Sequence, residues 1–428
     1  MKQKRGESVI RLLIVADDLT GALDTGVQFA DFGAVTRVMT DGWNGWGDVN
    51  PSVQVLVLDA ETRHLPPQDA YRKVYAAVQN AAAGGVPFIY KKTDSALRGN
   101  IGSELQALKD ASKADILPFI PAFPQMGRTT RHGIHFINEK PVQESVFGKD
   151  PFEPVDCSFV PDIIHRQTET ETAVLERGWT EEQLAKCRNK IAVFDAADCW
   201  EIQLIARKLY TGGLLKASAG CAGFASAFPE ILGLKKKRVS VPVLEGGLLV
   251  ICGSVNPITC RQLDRAEESG FARIRLTAEQ KLVPGYWESS AGRDQLDWIF
   301  WKCRTSPCCI IDTDGQCERM AAEDSGYSSE AARSHIADVL GKILGELIRR
   351  GLKRTILITG GDTLLGFMKN MGIFEAEPIC EMIPGAVLSR FCVEHEIYQI
   401  ISKSGGFGSD ELLVQLAEKI RERERALC

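Results

Sequence analysis

The chain has 428 residues, of which 44% are hydrophobic and 25% are charged, and its formal net charge is −5 at pH 7. This length favours two domains over one, and the mildly acidic balance argues against a nucleic-acid partner, which would require a basic surface. No apolar stretch approaches the roughly 18 residues that a membrane-spanning helix needs, so we expect no membrane partner and a cytoplasmic location.

The first half of the chain alternates short β-rich runs with helical patterns. The predicted strands are Arg11 to Val15, Val53 to Leu58, Pro87 to Lys91 and Ile116 to Pro121. Apolar residues recur at helical spacing between them, in Gly21 to Asp31, Gln68 to Ala83 and Gly102 to Ala111. Strands that alternate with helices in this way usually pair in parallel, so the pattern predicts an α/β domain with a mostly parallel sheet.

Residues 121–165 interrupt this alternation. The segment is rich in proline, glycine and aromatic residues and has no clear periodicity, so we expect a long loop. A loop of this length inside a compact domain is usually functional, or else it is misassigned. The α/β pattern resumes with a strand at Ile191 to Phe194 and a helix at Asp198 to Leu209, and Gly220 to Gly223 closes it.

A charged run and paired glycines break the chain near residues 232–247, and a second α/β series follows. Its predicted strands are Leu248 to Cys252, Ala272 to Leu276, Cys309 to Asp312, Thr355 to Ile358 and Glu396 to Ser402. Three helices are predicted: one that starts at Pro257, one over Glu330 to Arg350 and one over Ser409 to Arg423. We predict an N-terminal domain over residues 1–235, a linker over 236–247 and a C-terminal domain over 248–428. Each is expected to be an α/β domain whose mostly parallel sheet is flanked by helices, with a cleft between the two.

The first predicted strand ends at two adjacent carboxylates, Asp17 and Asp18. Open α/β sheets bind ligands at the carboxyl ends of their strands, and carboxylates there can accept hydrogen bonds from sugar hydroxyl groups. A structural alternative is that Thr20 caps the following helix and that the acidic residues favour its N-terminus. This alternative does not explain two carboxylates at the exit of a buried strand, where desolvation is costly without partners.

A second polar segment, Tyr90 to Asn100, lies at the end of the third predicted strand. Its cations, hydroxyl groups and carboxylate suit the capture of an anion that carries hydroxyl groups, although lysines at a strand end are often only solvent-exposed. Arg63 follows the second predicted strand and is expected at the same edge of the sheet. The residues of the segment that we expect to contact this ligand are Lys92, Thr93, Asp94 and Ser95.

Three predicted strand ends in the second half carry glycine. Glycine lets backbone N–H groups approach phosphate oxygens closely, and a helix N-terminus adds partial positive charge. One such turn is usually only a tight turn, but three in one domain favour a phosphate or nucleotide site. The predicted contact residues are Ser254, Gly360, Gly361, Asp362, Thr363, Gly405 and Gly406.

Several other motifs are absent from the sequence. It contains neither the Gly-x-x-x-x-Gly-Lys-[Ser/Thr] P-loop nor the Gly-x-Gly-x-x-Gly dinucleotide fingerprint. The 13 cysteines include no Cys-x-x-Cys pair, and the 6 histidines include no His-Glu-x-x-His motif. We therefore expect reduced thiols in a reducing compartment and no metal site built from side chains.

Several segments match the signatures of one family in chain order. In the first half they are Ala16 to Asp24, Lys91 to Asn100, and Pro121 to Pro124 with Gly127 to Thr129. In the second half they are Gly253 and Ser254 with Pro257, Thr359 to Thr363, Pro384 with Gly385, and Lys403 to Gly408. From about residue 12 to about residue 415, the chain resembles the four-carbon acid sugar kinases.

This resemblance implies an N-terminal substrate domain and a C-terminal nucleotide domain. It implies that ATP, with Mg²⁺ bridging its phosphates, phosphorylates the terminal hydroxyl of threonate, erythronate or a 3-oxo-tetronate. The implied substrate contacts are Asp17 or Asp18, Arg63 and Lys92 to Ser95, and the implied ATP contacts are Ser254, Gly360 to Thr363 and Gly406. The chain departs from the commonest family form at Leu19, usually Phe, at Val255 and Asn256, usually smaller, and at Cys221, usually Ser.

The resulting hypothesis has Arg63 and the Lys91–Lys92 region hold the sugar acid's carboxylate, while Asp17, Asp18 and Asp94 bind its hydroxyl groups. Asp362 is the candidate catalytic residue that orients or deprotonates the attacking hydroxyl or holds metal through water, and helix capping is its alternative role. Two other functions stay open: a non-catalytic sugar-acid sensor and an NAD-dependent dehydrogenase, against which the missing fingerprint counts. A homo-oligomeric state is left open.

Overall fold

The computed structural model describes residues 10–40, 49–150, 153–236, 244, 246–313, 329–393 and 396–425. The chain divides between Val239 and Ser240 into two compact units, the N-terminal unit and the C-terminal unit. Most of the predicted linker 236–247 lies outside the described residues. In the part of the chain that the structure describes, no helix combines the length and apolar character needed to cross a membrane.

The N-terminal unit contains eleven strands in its described residues. They are β1 (Leu12–Ala16), β2 (Thr36–Met39), β3 (Val55–Asp59), β4 (Phe88–Lys92), β5 (Leu117–Ile120), β6 (Arg128–Arg131), β7 (Ile134–Ile137), β8 (Lys140–Pro141), β9 (Thr172–Leu175), β10 (Ile191–Phe194) and β11 (Ala217–Gly220). Eight of them form the main sheet in the order β2-β3-β1-β4-β11-β5-β10-β9, and each neighbouring pair is parallel. The predicted parallel sheet is therefore confirmed.

Helices pack on this sheet through apolar stripes. They are α1 (Leu19–Ala30), α2 (Pro67–Ala83), α3 (Ile101–Ser112), α4 (Val160–His165), α5 (Glu181–Ala185), α6 (Cys199–Thr211), α7 (Ala222–Ala225) and α8 (Phe228–Ile231). In α2, proline occupies the first position, and the residues that the helix buries are Ala70, Val74, Val78 and Ala81. Their spacing of three or four residues places them on one face, which is the pattern of a helix that lies on a sheet.

The segment 121–165 is not the long loop that the sequence predicts. It contains the antiparallel sheet β6-β7-β8 and the short helix α4. The β6–β7 turn passes through His132 and Gly133, both with positive φ. Periodicity misses this sheet because none of its strands exceeds four residues, which is too short for an alternating pattern to stand out.

The C-terminal unit contains seven strands in its described residues. They are β12 (Leu248–Cys252), β13 (Ala272–Arg275), β14 (Cys308–Asp312), β15 (Thr355–Thr359), β16 (Glu375–Ile383), β17 (Ala386–Val393) and β18 (Glu396–Lys403). The strands β13-β14-β12-β15-β18 are parallel in that order, so the prediction of a mostly parallel sheet is again confirmed. The sheet continues with β17 and β16, which are antiparallel and were not predicted.

Six helices accompany this sheet in the described ranges. They are α9 (Pro257–Glu268), α10 (Ala278–Leu282), α11 (Ser290–Thr305), α12 (Ser329–Arg349), α13 (Gly361–Asn370) and α14 (Leu412–Arg425). Two glycines allow α12 and α13 to approach closely. A Cβ at Gly341 would lie 2.5 Å from the carbonyl carbon of Gly366, and a Cβ at Gly366 would lie 2.5 Å from the Ala337 oxygen. This close contact fixes α13, whose N-terminus follows β15 directly.

Candidate functional site

Asp18 begins the helix that follows β1. Its Oδ1 accepts a hydrogen bond from the Gly21 backbone N–H at 3.0 Å, and the Thr20 hydroxyl donates to its Oδ2 at 2.7 Å. Asp18 is therefore the N-cap, and the structural alternative in which Thr20 caps this helix is wrong. Burial alone would raise the pKa of Asp18, but Arg63, Lys92 and the Thr20 hydroxyl outweigh burial and lower that pKa.

Arg63 connects three carboxylates. Its Nε donates to Asp17 Oδ2 at 2.8 Å, and its Nη2 lies 2.7 Å from that oxygen, 2.8 Å from Asp18 Oδ1 and 3.6 Å from Asp94 Oδ1. At Gly99, a Cβ would lie 2.9 Å from Arg63 Cγ, so the close approach of these segments requires glycine. Arg63 lies at the predicted edge, but two of its donor nitrogens already bind protein carboxylates.

Lys92 adds a second cation to the same group. Its Nζ lies 3.7 Å from Asp17 Oδ1 and donates to the Thr93 backbone carbonyl at 2.7 Å. Burial alone would lower the pKa of Lys92, but Asp17 and Asp18 outweigh burial and raise that pKa. The ammonium group is therefore charged in the neutral pH range.

Lys91 has a different partner, which sequence reasoning missed. Its fully buried Nζ lies 3.0 Å from Glu104 Oε2 in α3, and the Thr62 hydroxyl donates to the other carboxylate oxygen. Burial and the charge of Asp17 raise the pKa of Glu104, even though Lys91 opposes them. Because the pair satisfies Lys91 internally, we assign it to support of the site rather than to ligand binding.

Asp94 is held by Arg98, which follows it by four residues in a non-helical segment. Its Oδ2 accepts from Arg98 Nε at 2.9 Å, and its Oδ1 accepts from Arg98 Nη2 at 3.0 Å. Burial opposes ionisation, but Arg98 and Arg63 outweigh it and hold the pKa of Asp94 well below its usual value. The guanidinium carbons of Arg98 and Arg128 lie 5.2 and 5.8 Å from the centroid of the Phe147 ring.

The sheet β6-β7-β8 contacts the predicted substrate segment through His135. The Nε2 atom of His135 lies 2.9 Å from the Ser95 carbonyl oxygen, and its Nδ1 lies 3.1 Å from the Thr130 hydroxyl. Burial lowers the pKa of His135 to about 4, so the neutral ring donates from Nε2 to Ser95. Nearby in sequence, the buried Thr93 Oγ1 has no hydrogen-bond partner among the described residues.

Cys221, where the family resemblance expects serine, is fully buried. Its Sγ donates to the carbonyl oxygens of Pro121 and Ala122 at 3.2 and 3.3 Å. Burial raises the pKa of the thiol. Cys221 therefore joins the ends of β5 and β11 and has a structural role in this unit.

Sequence reasoning also missed Asp59, Glu104 and His135. A signal for Asp59 was available, because it ends a buried apolar strand as Asp17 does, and it is only 5% exposed. No comparable signal marks Glu104, which occupies an ordinary position in an amphipathic helix. His135 belongs to a segment that the sequence pattern assigns to a loop.

The three glycine turns of the C-terminal unit contact one another. A Cβ at Gly253 would lie 2.3 Å from Thr363 Oγ1, and one at Gly405 would lie 2.5 Å from Ser254 Oγ. Gly360 has φ +101, a conformation that other residues rarely adopt. The neighbouring strands β12, β15 and β18 thus bring the predicted phosphate-contacting turns together at their carboxyl ends.

The first turn of α13 is open at its N-terminus. Gly360 is its N-cap residue and provides no side chain to cap the backbone N–H groups. Asp362 lies in this first turn, with its Oδ2 3.4 Å from Arg333 Nε, and does not cap the helix. The capping alternative for Asp362 is therefore wrong. The N–H groups of this turn are suitable donors to an anion.

Three polar residues that were not predicted hold the turn after β18, which contains Gly405 and Gly406. The buried Lys403 Nζ donates to the Thr259 hydroxyl at 3.2 Å, and Thr259 donates to the Gly405 carbonyl at 2.8 Å. Gln262 Nε2 donates to the Phe407 carbonyl at 3.0 Å. These contacts fix the carbonyl groups of the turn, in which Gly405 and Gly406 are partly exposed.

The described side chains do not form a metal centre of their own. Within the described ranges, no three His, Cys, Asp or Glu side chains are grouped so that they could hold a metal ion. A magnesium ion at this kind of site usually takes most of its oxygen ligands from phosphate and water. Asp362 and Thr363 are the carboxylate and hydroxyl beside the glycine turns that could add protein oxygens.

Two family models match the chain. The model described as the sugar-binding N-terminal domain matches residues 12–228, and the model described as the nucleotide-binding C-terminal domain matches residues 249–413. The first covers the charged network around Arg63, and the second covers the three glycine turns.

Curated relatives are similar over nearly the whole chain. A D-threonate kinase of Salmonella typhimurium is 30% identical and aligns with 96% of this chain and 99% of its own. A D-erythronate kinase of Heliobacterium modesticaldum is 26% identical, with 94% of each chain covered. A 3-oxo-tetronate kinase of Cupriavidus necator is 26% identical and covers 94% of this chain and 96% of its own.

Solved structures share the fold. A Salmonella typhimurium LT2 crystal structure matches with a TM-score of 0.74 and 20% identity, over 94% of this chain and 98% of that one. A Haemophilus influenzae structure of the family DUF1537 matches with a TM-score of 0.68 and 22% identity, over 95% and 99% of the two chains.

Proposed function

This chain belongs to the four-carbon acid sugar kinase family, and we propose that it transfers the γ-phosphoryl group of ATP to the terminal hydroxyl of a tetronate such as threonate, erythronate or 3-oxo-tetronate. The observation that carries the proposal is the connected network of Asp17, Asp18, Arg63, Lys92 and Asp94 at the carboxyl ends of parallel strands. Its charges are fixed by mutual contacts before any ligand arrives, which lowers the cost of ordering them on binding.

Two buried polar atoms support an acid sugar as the ligand of this network. Asp17 Oδ1 and Thr93 Oγ1 have no hydrogen-bond partner among the described residues. Buried polar atoms are nearly always hydrogen-bonded, so an unpaired atom beside a candidate site indicates a missing partner. Sugar hydroxyl groups would donate to Asp17 and exchange hydrogen bonds with Thr93, while Lys92 and Arg63 would attract the substrate's carboxylate.

The C-terminal unit would bind the ATP. The glycines at positions 253 and 405 let the three turns pack closely together, and the open first turn of α13 presents N–H groups there. Phosphate oxygens fit such an arrangement because they accept hydrogen bonds from backbone donors and are favoured by the helix dipole. When bound with the nucleotide, Mg²⁺ would supply charge neutralisation to the phosphates.

Asp362 is our candidate for the residue that orients or deprotonates the attacking hydroxyl. Its side chain is 40% exposed in the first turn of α13, and its pairing with Arg333 at 3.4 Å is loose. Phosphoryl transfer depends mainly on in-line positioning and charge stabilisation, so a carboxylate that holds the hydroxyl in line is sufficient.

The test is ADP release with a panel of D- and L-threonate, D- and L-erythronate and their 3-oxo forms. We expect turnover with at least one of them, followed by identification of the phosphorylated carbon by NMR. Release of ADP with none of the panel would overturn the proposal, and phosphorylation at an inner hydroxyl would overturn its regiochemistry. None of the relatives reported above is named as a dehydrogenase or a sensor. An absorbance change of added NAD in the presence of a tetronate would support the dehydrogenase alternative.

A further inference from the structure

Asn100 occupies the N-cap position of α3, but its side chain does not cap the helix. An asparagine at an N-cap usually accepts a hydrogen bond from the first turn through its side-chain oxygen. In this helix Gln167 does so instead, because its Oε1 accepts from the backbone N–H groups of Gly102 at 2.9 Å and Ser103 at 3.4 Å. The buried amide of Asn100 is therefore available for a different contact.

That contact is with the segment 62–65, which carries Arg63. Asn100 Nδ2 donates to the carbonyl oxygen of Thr62 at 2.8 Å and to that of Leu65 at 2.7 Å, and it lies 3.4 Å from the carbonyl oxygen of Arg63. An NH₂ group has two hydrogens, so the two short bonds use both of them. One side chain thus holds the backbone on both sides of Arg63.

The same segment is bound to β1 from its other side. The backbone N–H groups of Thr62 and Arg63 donate to the Asp17 carbonyl at 3.1 and 3.3 Å. The N–H groups of the segment therefore bind the end of β1, and its carbonyl groups bind the start of α3. These bonds fix the backbone of Arg63, whose guanidinium requires this placement because its contacts with Asp17 and Asp18 are 2.7 to 2.8 Å long.

The orientation of the Asn100 amide is determined by groups that can act in only one way. Backbone N–H groups only donate, so Gln167 must turn its Oε1 towards the first turn of α3. Its Nε2 then donates to the Gly99 carbonyl at 3.2 Å and to Asn100 Oδ1 at 3.3 Å. With its Oδ1 engaged in this way, Asn100 turns Nδ2 towards the carbonyl groups of the segment 62–65, which can only accept.

We propose that Asn100, oriented by Gln167, positions Arg63 in the acid-sugar site and thereby determines how tightly the site binds its anionic substrate. Asn100 is a positioning residue, since it acts through Arg63 and does not contact the reacting atoms. The inference rests on the proposed function, because the affinity that it explains is that for an acid sugar. An amide that only stabilised the fold would leave this affinity unchanged in the folded protein.

The first variant is Asn100→Ala, which removes the donor from the segment 62–65. A misplacement of about 1 Å in a binding group costs roughly 100-fold, so we expect the KM for the acid sugar to rise by about that factor. Arg63 is proposed to bind the substrate's carboxylate and not its reacting hydroxyl, so kcat should fall much less, and the dissociation constant of ADP should not change. Steady-state kinetics and calorimetry measure these quantities. An unchanged KM in a folded Asn100→Ala protein would overturn the inference.

Asn370→Ala is the matched control. The Nδ2 of Asn370 also donates to oxygens of neighbouring segments, the Gly366 carbonyl and Asp338 Oδ1, both at 2.8 Å, but it lies in the C-terminal unit. We expect this variant to lose thermal stability and to keep the wild-type KM for the acid sugar. A comparable rise of that KM in both variants would mean that loss of an amide disturbs the enzyme generally, and the positioning role would be wrong.

A double-mutant cycle tests whether the effect of Asn100 passes through Arg63. In the Arg63→Ala background, Asn100→Ala should lower kcat/KM for the acid sugar no further, because the group that the amide positions is gone. Losses that simply add in the double variant would contradict the inference.

Gln167→Glu decides the case if Asn100→Ala does not fold. Gln167 is only half-buried, and an ionised carboxylate at its position cannot donate to Asn100 Oδ1. The Asn100 amide is then no longer held towards the segment 62–65, whereas protonation of the new carboxylate at low pH restores a donor. We therefore expect an acid-sugar affinity that is lower than that of the wild type at high pH and approaches it as the pH falls. Equal affinities at every pH would overturn the inference.

A crystal structure of Gln167→Glu at high pH measures the position of Arg63 without any ligand. We expect the guanidinium to have left Asp17 and Asp18, and an Arg63 that keeps both contacts would show that the amide does not position it. ADP release by the wild type tests the proposed function separately, so failure of either idea is distinguishable.

Discussion

The two candidate sites are built from different parts of the polypeptide. In the N-terminal unit, five charged side chains form one network in which all but Asp18 are buried, and the glycine at position 99 only makes room for one of them. In the C-terminal unit, three turns approach one another through glycine, and the atoms in closest contact are the Thr363 and Ser254 hydroxyl oxygens. A small polyhydroxy anion must be recognised by the placement of individual hydroxyl groups, which requires side chains. The phosphate oxygens are the same in every nucleotide, so backbone N–H groups are sufficient to bind them.

This contrast predicts opposite sensitivities. Removal of a charge damages the N-terminal site, because a buried carboxylate then loses its partner. Addition of a single carbon damages the C-terminal site, because the space between its turns is already filled. Each of the following variants tests this expectation by showing which ligand loses affinity.

Arg63→Ala has the largest expected effect. It leaves Asp17, Asp18 and Asp94 without their common cation, and loss of one partner of a buried ion pair costs about 3–5 kcal/mol. We expect kcat/KM for the acid sugar to fall roughly 1,000-fold, with an unchanged dissociation constant for ADP. Steady-state kinetics and calorimetry measure the two quantities.

The control for this variant is Arg63→Lys. Lysine restores one charge without the planar fork that reaches three carboxylates, so the loss is smaller but still large. An Arg63→Ala protein with normal acid-sugar affinity would show that the network is a structural ion cluster, and the contrast between the two units would lose its functional meaning.

Asp362→Asn is expected to lower kcat by roughly 100-fold, the usual contribution of a positioned acid–base group. The KM values for both substrates should change little, since Asn keeps the shape and can still accept a hydrogen bond. Because Asp362 does not cap α13, thermal stability should stay close to that of the wild type. Full turnover in this variant would show that Asp362 has no catalytic role. The C-terminal site would then act through its backbone N–H groups alone.

Gly360→Ala tests the backbone site with one carbon. The residue has φ +101 and lies where a Cβ would be 3.4 Å from Thr363 Oγ1, and strain of this kind amounts to about 1–3 kcal/mol. We expect the KM for ATP to rise roughly tenfold or more, while the dissociation constant of the acid sugar is unchanged. Gly351→Ala is the matched control, because Gly351 has φ +80 and open space around its Cβ position. Equal ATP affinity in Gly360→Ala and Gly351→Ala would show that the position of Gly360 beside the glycine turns has no special importance for ATP binding.

Much of this architecture is predictable from local sequence patterns. The strand ends near Asp17, Lys92, Ser254 and Gly360 are marked by an apolar run that stops at polar or glycine residues, and the structure has a strand ending within two residues of each. The strands β2, β9 and β11 were missed, and β11 gives no strand signal because it consists only of small residues. The antiparallel strands β16 and β17 were missed although they are long, because no helix separates them.

The partners within the site are less accessible to sequence reasoning. Arg63 was placed correctly at the edge of the sheet, but its role as the common partner of three carboxylates depends on segments 46 and 31 residues away in the chain. The pairing of Lys91 with Glu104 has the same origin. Such contacts are decided by tertiary packing, and neither periodicity nor capping patterns contain them. Asp59 is the exception, because its position at a strand end was visible and was overlooked.

Cys221→Ser is expected to have the smallest effect, and it restores the serine that the commonest family form has at this position. The thiol donates to two backbone carbonyls at 3.2 and 3.3 Å, and a hydroxyl group at the same position can donate to one of them at a shorter distance. We expect kcat/KM for the acid sugar to stay within roughly twofold, and the melting temperature to change by no more than about 2 °C. A large gain in turnover would mean that the hydroxyl contacts the substrate, and that the side-chain network extends to β11. A large loss would mean that the slightly longer reach of sulfur sets the distance between β5 and β11, and with it the position of Thr93 in the network.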